Sequence, residues 1–391
     1  MLMTVIHWME FEMDPQKRVE RVELTLKMAS WPVDRGFVQD WGCLYSSTPY
    51  SSVFCRLEWI LTGIEVYGDQ EEILPCRFHG RDGALHAMGI FMRRKEVGKR
   101  SSFTVIRTVD YNSQRIIPMV APDMETMAGA MACLRKSFGR DADYFDLFKL
   151  DGCGDGLDRF HRLMEIRGIP HEVEVFNEQP RFLLEGSWDG YLDKRTQGHR
   201  KKIRRYTRKL QEEYPDYRFI RLRSPEDFAG YGLDAAVGEV MDLYLKGWQA
   251  EALEDQGGGA CANLMEFYKR IAARLAPLGL VEICMLRADG TLLASELNVC
   301  ENGSINMLFG SYDRRYAEWS PGNAILSELL QDSYRRGDRC VEFGGEYLEY
   351  KRLWTKDAVD SYHLRMYGRT LRAGLRRCFG QLRSLFKDRD R

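Results

Sequence analysis

A short turn in the second half of the chain, Ser320-Pro321-Gly322, has the residue types of an anion-binding site. Ser320 is a favourable helix N-cap and Pro321 suits the first helical position, so the pattern predicts a helix that begins here. A helix that opens directly behind a strand presents free backbone N–H groups and the positive end of its dipole, which favour a phosphate or pyrophosphate. An ordinary strand-to-helix connection has the same pattern, and these residues alone leave both interpretations open.

The elements around this turn are clear in the sequence. Apolar residues recur at helical spacing through ILSELLQDSY and Gly337 lies just past them, which predicts a helix over 321–336. Three strand-like runs precede it, GLVEICMLRADG, TLLASELNVCENG and SINMLFGSYD. The dipeptides Asp289-Gly290 and Asn302-Gly303 between these runs are strong hairpin signals, so the runs should form an antiparallel meander. A strand near 339–344, the segment EYLEYKRLW and a last strand, SYHLRMYG, follow.

The first half shows a similar but weaker succession of strands in hairpins and covering helices. We therefore predict an α/β (α+β) protein of two similar halves, although no repeat is visible residue by residue. The predicted domains are 1–180 and 181–365, followed by a basic tail, 366–391. Because the first half has no counterpart of the Ser320 turn, the second half is the better candidate for binding the reactive ligand.

Where the halves join, KRTQGHRKKIRRYTRK (194–209) has nine Lys or Arg residues in sixteen positions. Arg200, Arg204 and Arg208 recur every fourth residue, which places them on one face of a helix. One interpretation is a solvated helix that bridges the halves. The other is a cationic wall beside a polyanionic cofactor or acceptor, where arginine binds phosphate through its planar guanidinium.

Length, charge and cysteine pattern limit the class of protein. The chain has 391 residues with 57 basic and 58 acidic side chains, so the whole protein is not a polycation that would bind DNA. The acidic N-terminus does not resemble a signal peptide, and no run reaches the roughly 18 to 20 apolar residues that span a bilayer. Ten cysteines and seven histidines lack metal-ligand spacing. These features predict a cytoplasmic protein with no metal site.

The basic tail has an apolar stripe formed by Leu371, Leu375, Leu382 and Phe386. A terminal helix packed on its own domain has this pattern, and so does a helix that lies on an anionic membrane. The second alternative would place the protein peripherally at the inner face of the membrane.

The quoted residues resemble the GNAT superfamily of acyltransferases, in particular the CelD/BcsL type associated with cellulose biosynthesis. They are also similar to the Fem aminoacyltransferases, which pair two GNAT-like domains. The resemblance rests on the order of elements, the basic helix, the Ser320 turn and a Y-K-x-x-W motif at Tyr350, Lys351 and Trp354. It implies two tandem GNAT-like domains, each a mixed, mostly antiparallel sheet covered by helices.

The resemblance also implies a donor and the residues that bind it. The usual pyrophosphate loop reads Q/R-x-x-G-x-G/A; Gly322 and Ala324 match its last positions, whereas Trp319 stands where Gln or Arg is expected. Acetyl-CoA or another acyl-CoA would therefore bind at Ser320, Gly322, Asn323 and Ala324 through backbone N–H groups and the helix dipole. An acyl carrier protein or an aminoacyl-tRNA as donor stays open.

Acyl transfer from a thioester needs a base for the proton of the incoming amine or hydroxyl and a hydrogen-bond donor to the developing oxyanion. Glu296, Glu342 and Asp313 lie on or at the end of strands that would line the cleft, so each is a candidate base. Similarity to the Fem Y-K motif assigns Lys351 to charge stabilisation or phosphate binding; a solvent-side glutamate and a surface lysine are the alternatives. The remaining candidates bind substrate: Tyr350, Trp354, Arg200, Arg204 and Arg208.

Three functions fit these expectations. The first is an N- or O-acyltransferase with an acyl-thioester donor and a sugar-containing or amine acceptor, which the resemblance places in the biosynthesis of a cell-surface polysaccharide or glycolipid. The second is a Fem-like transferase that uses aminoacyl-tRNA, although the chain shows no long coiled-coil arm. The third, to which Trp319 gives weight, is a catalytically degenerate GNAT-like binding subunit of a polysaccharide synthesis complex.

Overall fold

The structure of the chain, a computed structural model, describes residues 23–49, 52–68, 71–98, 102–152, 154–246 and 259–378. The strands of the first half are β1 (Thr25–Met28), β2 (Glu72–His79), β3 (Leu85–Val97), β4 (Ser102–Thr108), β5 (Tyr144–Asp151) and β6 (His171–Leu183). Its helices are α1 (Arg35–Ser47), α2 (Leu57–Tyr67), α3 (Met124–Phe138) and α4 (Gly156–Ile166).

The second half continues with both kinds of element. Its strands are β7 (Arg218–Leu222), β8 (Val281–Ala288), β9 (Thr291–Glu301), β10 (Ser304–Tyr312), β11 (Cys340–Glu342) and β12 (Ala358–Tyr367). Its helices are α5 (Trp188–Asp193), α6 (Gln197–Glu213), α7 (Pro225–Tyr231), α8 (Leu233–Leu245), α9 (Ala260–Leu275), α10 (Pro321–Arg336) and α11 (Glu349–Arg352). Residues 371–378 are also helical.

The predicted meander is confirmed. Strand β9 pairs antiparallel with both β8 and β10. The turn residues Asp289, Gly290, Asn302 and Gly303 all have positive φ angles. That backbone belongs to the tight hairpin turns which Asp-Gly and Asn-Gly adopt with little strain, so the local sequence determines the strand register next to each turn. Farther along, the register shifts between Leu286 and Arg287 and between Met307 and Phe309.

The helices follow the prediction with two differences. Helix α10 has the predicted bounds and ends at Gly337, whose φ is 75°. The sequence from about 225 to 250 also has the apolar pattern of one long helix. Its described part is divided into α7 and α8, because Gly232 has a φ of 94° and cannot continue a right-handed helix, and residues 247–250 lie outside the described residues. Helix α1 is missing from the prediction, although its buried residues Phe37, Trp41 and Tyr45 recur every fourth residue.

The twelve strands of the described residues form one sheet in the order β1-β2-β3-β4-β5-β12-β6-β11-β10-β9-β8-β7. Counted from one edge, the sheet begins with β1 to β5, and counted from the other edge it begins with β7 to β11 in the same order. The two central positions are taken by β12 and β6. The last strands are exchanged, because β12 pairs with β5 and β6 pairs with β11. The predicted α/β class, with two similar halves and a mostly antiparallel sheet, is confirmed. The boundary proposed between residues 180 and 181 lies inside β6, and the division into domains stays a prediction.

Two strand pairs in this sheet run parallel, β4 with β5 and β10 with β11. The second pair extends only over residues 304–306 and 340–342, after which the strands diverge. In the first half, the corresponding crevice is filled by the chain itself: the Ile116 amide donates to the Lys149 carbonyl at 2.8 Å, and its carbonyl accepts from the Asp151 amide at 3.0 Å. The crevice of the second half is a cavity instead.

Candidate active site

The cavity between β10 and β11 has a volume of about 800 Å³. One wall is the end of β10 with the loop after β11 and the start of α11. A second wall is the beginning of α10, and a third comes from the first half of the chain. The polar or charged residues on these walls are Asn112, Ser113, Gln114, Lys149, Asn177, Gln179, Glu296, Ser311, Ser320, Asn323 and Lys351.

Glu296 reaches the cavity because Gly310 has no side chain. The two residues are partners across the β9–β10 ladder. A Cβ atom on Gly310 would lie 2.2 Å from Oε1 and 2.4 Å from Oε2 of Glu296, distances that real Cβ contacts do not show. An irregularity in β10 between Met307 and Phe309 breaks the ladder just before this pair. A bulge of this kind redirects side chains and often lies beside an active site.

Burial makes the Glu296 carboxyl a weak acid. The residue is 8% exposed, and burial raises its pKa to about 8, while the nearby charge of Lys351 acts in the opposite direction. Its Oε2 atom has no hydrogen-bond donor among the described residues. A carboxylate in this state can accept a proton from a substrate near neutral pH, as general-base catalysis requires.

Lys351 is also buried, at 5% exposure. Its Nζ atom donates to the carbonyl oxygens of Gly344 at 2.5 Å and Glu346 at 3.0 Å. Burial lowers the pKa of Lys351 to about 8, against the effect of Glu296 and Glu346. Gly344 and Gly345 have φ angles of 58° and 56°, which favour glycine. This glycine pair turns the chain so that the loop after β11 wraps around the lysine.

The predicted donor turn faces the same cavity. Ser320, Gly322 and Asn323 line it, whereas Ala324 is buried underneath. The amides of Asn323 and Ala324 donate to the Ser320 carbonyl at 3.0 and 3.1 Å. The Gly322 amide has no acceptor within the described part of the chain. The turn therefore offers fewer free N–H groups than the sequence suggests, with Gly322 as its main donor. Ser320 is at the N-cap position, but its side chain makes no capping bond.

The other two candidate bases lie elsewhere. Glu342 is buried, and its Oε1 atom pairs with Arg181 at 2.6 Å and Arg115 at 2.8 Å. It lines a second cavity of about 400 Å³, which shares no lining residue with the first. Asp313 accepts a hydrogen bond from the Arg315 amide at 3.0 Å and caps the turn after β10. The structure brings only Glu296 together with Lys351 and the donor turn.

Residues 197–352 match the family model of the acetyltransferase (GNAT) domain. This match agrees with the resemblance in the sequence and covers less than half of the chain; the matched region includes Glu296, the donor turn and Lys351. Such a domain indicates a transferase. No curated protein sequence matches the chain.

Several solved structures are similar to the chain at low sequence identity. A conserved protein of unknown function from Bacteroides thetaiotaomicron has a TM-score of 0.54 and 9% identity, over 84% of this chain and 97% of its own. FemX has a TM-score of 0.45 and 12% identity, over 84% of this chain and 95% of its own. A tandem GNAT protein from the clavulanic acid biosynthesis pathway has a TM-score of 0.44 and 11% identity, over 88% of this chain and 99% of its own.

The basic helix α6 begins the region that matches the GNAT model but does not line the cavity. Its apolar stripe is buried in the core, and its arginines point away from that stripe. Arg200 pairs with Asp193 at 3.6 Å and Arg208 with Glu212 at 3.4 Å, while Arg204 is exposed. The three arginines are therefore placed on the surface, as the solvated-helix interpretation requires.

The aromatic candidates of the Y-K-x-x-W motif are separated. Tyr350 is 50% exposed at the cavity, and Lys351 Nζ lies 5.8 Å from the centre of its ring. Trp354 is 1% exposed and belongs to the core, where its carbonyl accepts a hydrogen bond from Tyr191 at 3.0 Å. The structure does not place Trp354 at the cavity; its ring packs in the core, 6.5 Å centre to centre from the ring of Tyr206 on α6.

Several cavity residues have no signal in the sequence. The Asn302-Gly303 turn alone would place Phe309 opposite Glu296, and only the bulge between Met307 and Phe309 brings Gly310 there. The residues of the first-half wall could not be found either, because they belong to separate loops and strands. Two of its members, Asn112 and Lys149, have positive φ angles of 51° and 55°. Strained backbone of this kind is concentrated at functional sites.

The structure also bears on the metal ligands, the membrane-spanning segments and the apolar stripe of the basic tail. Within the ranges that the structure describes, no group of three His, Cys, Asp or Glu side chains could hold a metal ion. No helix in those ranges is long and apolar enough to cross a bilayer. Of the tail stripe, Leu371 is 89% and Leu375 61% exposed, and Leu382 and Phe386 lie outside the described residues.

Proposed function

We propose that the protein transfers an acyl group from a CoA-type thioester, acetyl-CoA or a longer acyl-CoA, to an amine or hydroxyl acceptor. One observation carries this proposal. A buried glutamate with a raised pKa, Glu296, and a buried lysine, Lys351, share a cavity with the start of α10, where two parallel strands diverge. These parts supply a base, a cation and a phosphate-binding turn in one enclosed space.

The donor would enter along β10. Beyond residue 306 this strand no longer pairs with β11, so an extended pantetheine chain fits between the strands as an added strand would. Its pyrophosphate would meet the Gly322 amide at the positive end of the α10 dipole. The thioester carbonyl would then lie near Glu296 and Lys351.

The chemical step follows from these positions. The acceptor nitrogen or oxygen attacks the thioester carbonyl carbon while Glu296 takes its proton. The ammonium of Lys351 has three N–H donors, of which two are used by Gly344 and Glu346. The third stabilises the oxyanion of the tetrahedral adduct. The adduct collapses, the carbon–sulfur bond breaks, and the thiolate leaves with the proton from Glu296.

We propose the first half as the acceptor-binding wall. Its cavity residues are mostly amides, Asn112, Gln114, Asn177 and Gln179, together with Lys149. Amides bind hydroxyl groups as donors and acceptors, which suits a sugar-containing acceptor of a cell-surface polymer or glycolipid pathway. We also propose that the chain is divided into two domains, 1–180 and 181–365, followed by a basic tail. We propose that this tail contacts the inner face of the membrane and that the protein belongs to the CelD/BcsL type.

The test measures binding and turnover separately. Wild-type protein is titrated with acetyl-CoA and longer acyl-CoAs by calorimetry, and thiol release is followed with amine and sugar acceptors. Glu296→Gln should bind the donor with nearly unchanged affinity but turn over roughly 10²- to 10⁴-fold more slowly. Glu226→Gln, an exposed glutamate on α7, is the matched control. Absence of any thioester binding, or full activity of Glu296→Gln, would refute the proposal.

A further inference from the structure

The segment that fills the crevice of the first half also reaches into the crevice of the second. Its main chain closes the space between β4 and β5 through Ile116. Its side chains at Gln114 and Arg115 point to the place where β10 and β11 diverge. The same short stretch of chain thus closes the crevice between β4 and β5 and borders the crevice between β10 and β11.

Gln114 lies in the fork between the two strands. It is 8% exposed, and its Nε2 atom donates to the carbonyl oxygen of Met307 at 2.6 Å, one residue beyond the last β10–β11 pair. On the other side, a Cβ atom on Gly344 would lie 2.4 Å from Nε2 of Gln114. The amide therefore lies between β10 and the chain after β11 at the closed end of the fork, and the cavity continues beyond it along Leu308 and Gly345.

The rest of the segment is fixed in place. The Gln114 carbonyl accepts a hydrogen bond from Nε2 of Gln179 on β6 at 3.2 Å. Arg115 pairs with Asp151 at 3.0 Å and with Glu342, the last paired residue of β11, at 2.8 Å. Buried ion pairs with several hydrogen bonds define geometry well. Glu342 therefore anchors the segment that carries Gln114.

We infer that Gln114 is a positioning residue of the donor cleft, supplied by the first half to the second. Its amide sets the separation of β10 from the loop after β11. It also lies against Gly344, whose carbonyl accepts a hydrogen bond from Lys351 Nζ at 2.5 Å. The inference rests on the proposed function, because it assumes that a thioester donor occupies this cleft. The first half is then part of the catalytic geometry and not only an acceptor-binding wall.

The experiment replaces the amide by a group of similar length without a donor. Gln114→Met is titrated with acetyl-CoA by calorimetry beside wild type and Gln39→Met, an exposed position on α1. The thermal midpoint of each protein is measured in parallel. We expect Gln114→Met to bind acetyl-CoA about tenfold or more weakly, because the Met307 carbonyl loses its hydrogen bond and β10 is no longer held in position at the end of the cleft. Gln39→Met should equal wild type.

The outcomes separate the inference from the function on which it rests. A lower thermal midpoint with unchanged donor affinity would make Gln114 a structural contact between the halves and overturn the inference, while the proposed function stands. Failure of wild type to bind any acyl-CoA would refute the function itself. If Gln114→Met does not fold, Gln114→Asn decides in the same assay, since it keeps the amide but withdraws it from Met307. Wild-type affinity in Gln114→Asn would overturn the inference.

Discussion

Gly310 lies opposite Glu296 in the β9–β10 ladder, and the absence of its side chain gives the Glu296 carboxyl group its place in the cavity. The position of the Glu296 carboxyl group therefore depends on the residue opposite it on β10 as well as on its own place in β9. Its pKa of about 8 follows from the same arrangement, because the carboxyl group is buried against backbone instead of solvent.

Gly310→Ala should reduce turnover strongly with a smaller effect on donor affinity. The new methyl group would lie within 2.4 Å of the Glu296 carboxylate oxygens, so the carboxyl must move. A displacement of about 1 Å at a catalytic group can cost on the order of 10²-fold in rate. Gly238→Ala, whose Cβ would meet nothing within 4 Å, is the control in steady-state kinetics. Wild-type kcat in Gly310→Ala would show that the position of Glu296 is unimportant.

The pH–rate profile should be a narrow bell centred near pH 8. Glu296 must lose its proton to act as base and Lys351 must keep its proton to stabilise the oxyanion, and both pKa values are about 8. Glu296→Gln should abolish the rising limb. Lys351→Met should abolish the falling limb and move the rising limb to higher pH, because the lysine charge lowers the pKa of Glu296. A flat profile between pH 7 and 9 would contradict this assignment.

The stability of wild type should fall with pH relative to Glu296→Gln. The folded pKa of Glu296 is raised from 4.5 to about 8, so between these values the unfolded chain has released the proton that the folded chain still binds. The free energy of unfolding therefore decreases as pH rises through this window, by about 1.4 kcal/mol per unit. From pH 5 to pH 8, denaturant unfolding should show Glu296→Gln gaining on the order of 3 kcal/mol over wild type. A constant difference between the two proteins would contradict the raised pKa.

Gly322→Val should weaken donor binding about tenfold or more without unfolding the protein. A Cβ atom at this position would meet only Tyr312 Cδ1, at an ordinary contact distance of 3.4 Å, so the fold has room for it. The side chain would instead occupy the approach of the pyrophosphate to the Gly322 amide. Thermal stabilisation by CoA is the measurement, with Gly230→Val on α7 as the control. Unchanged stabilisation in Gly322→Val would place the donor elsewhere.

Replacing Arg200, Arg204 and Arg208 together by Gln should raise the Michaelis constant of a phosphate-bearing substrate and flatten its dependence on salt. The three side chains lie on the surface of α6 and do not line the cavity, so they act by long-range attraction, which salt screens. Turnover at saturation should stay at the wild-type value. Loss of that turnover in the folded variant would assign the arginines to the chemical step.

Local chemistry in the sequence determined much of the second half. The bounds of α10, the two hairpin turns and the meander follow from a proline, several glycines and the apolar periodicity, because these signals act over a few residues. The same signals showed where a donor turn could lie, and strand alternation left Glu296 either in the cleft or on the solvent side. The burial of Ile203, Tyr206 and Leu210 in α6 also agrees with the sequence pattern.

Only the tertiary structure decided which candidates meet. Glu296 and Glu342 are indistinguishable as carboxylates on apolar strands, but the register sets one beside Lys351 and the other between Arg115 and Arg181. Trp354 looks like a ligand-binding residue in its motif and is a core residue in the fold. The exchange of β6 and β12, and the insertion of Gln114 between β10 and β11, depend on contacts between distant parts of the chain. No local propensity specifies such contacts, because they are selected by the packing of the whole sheet.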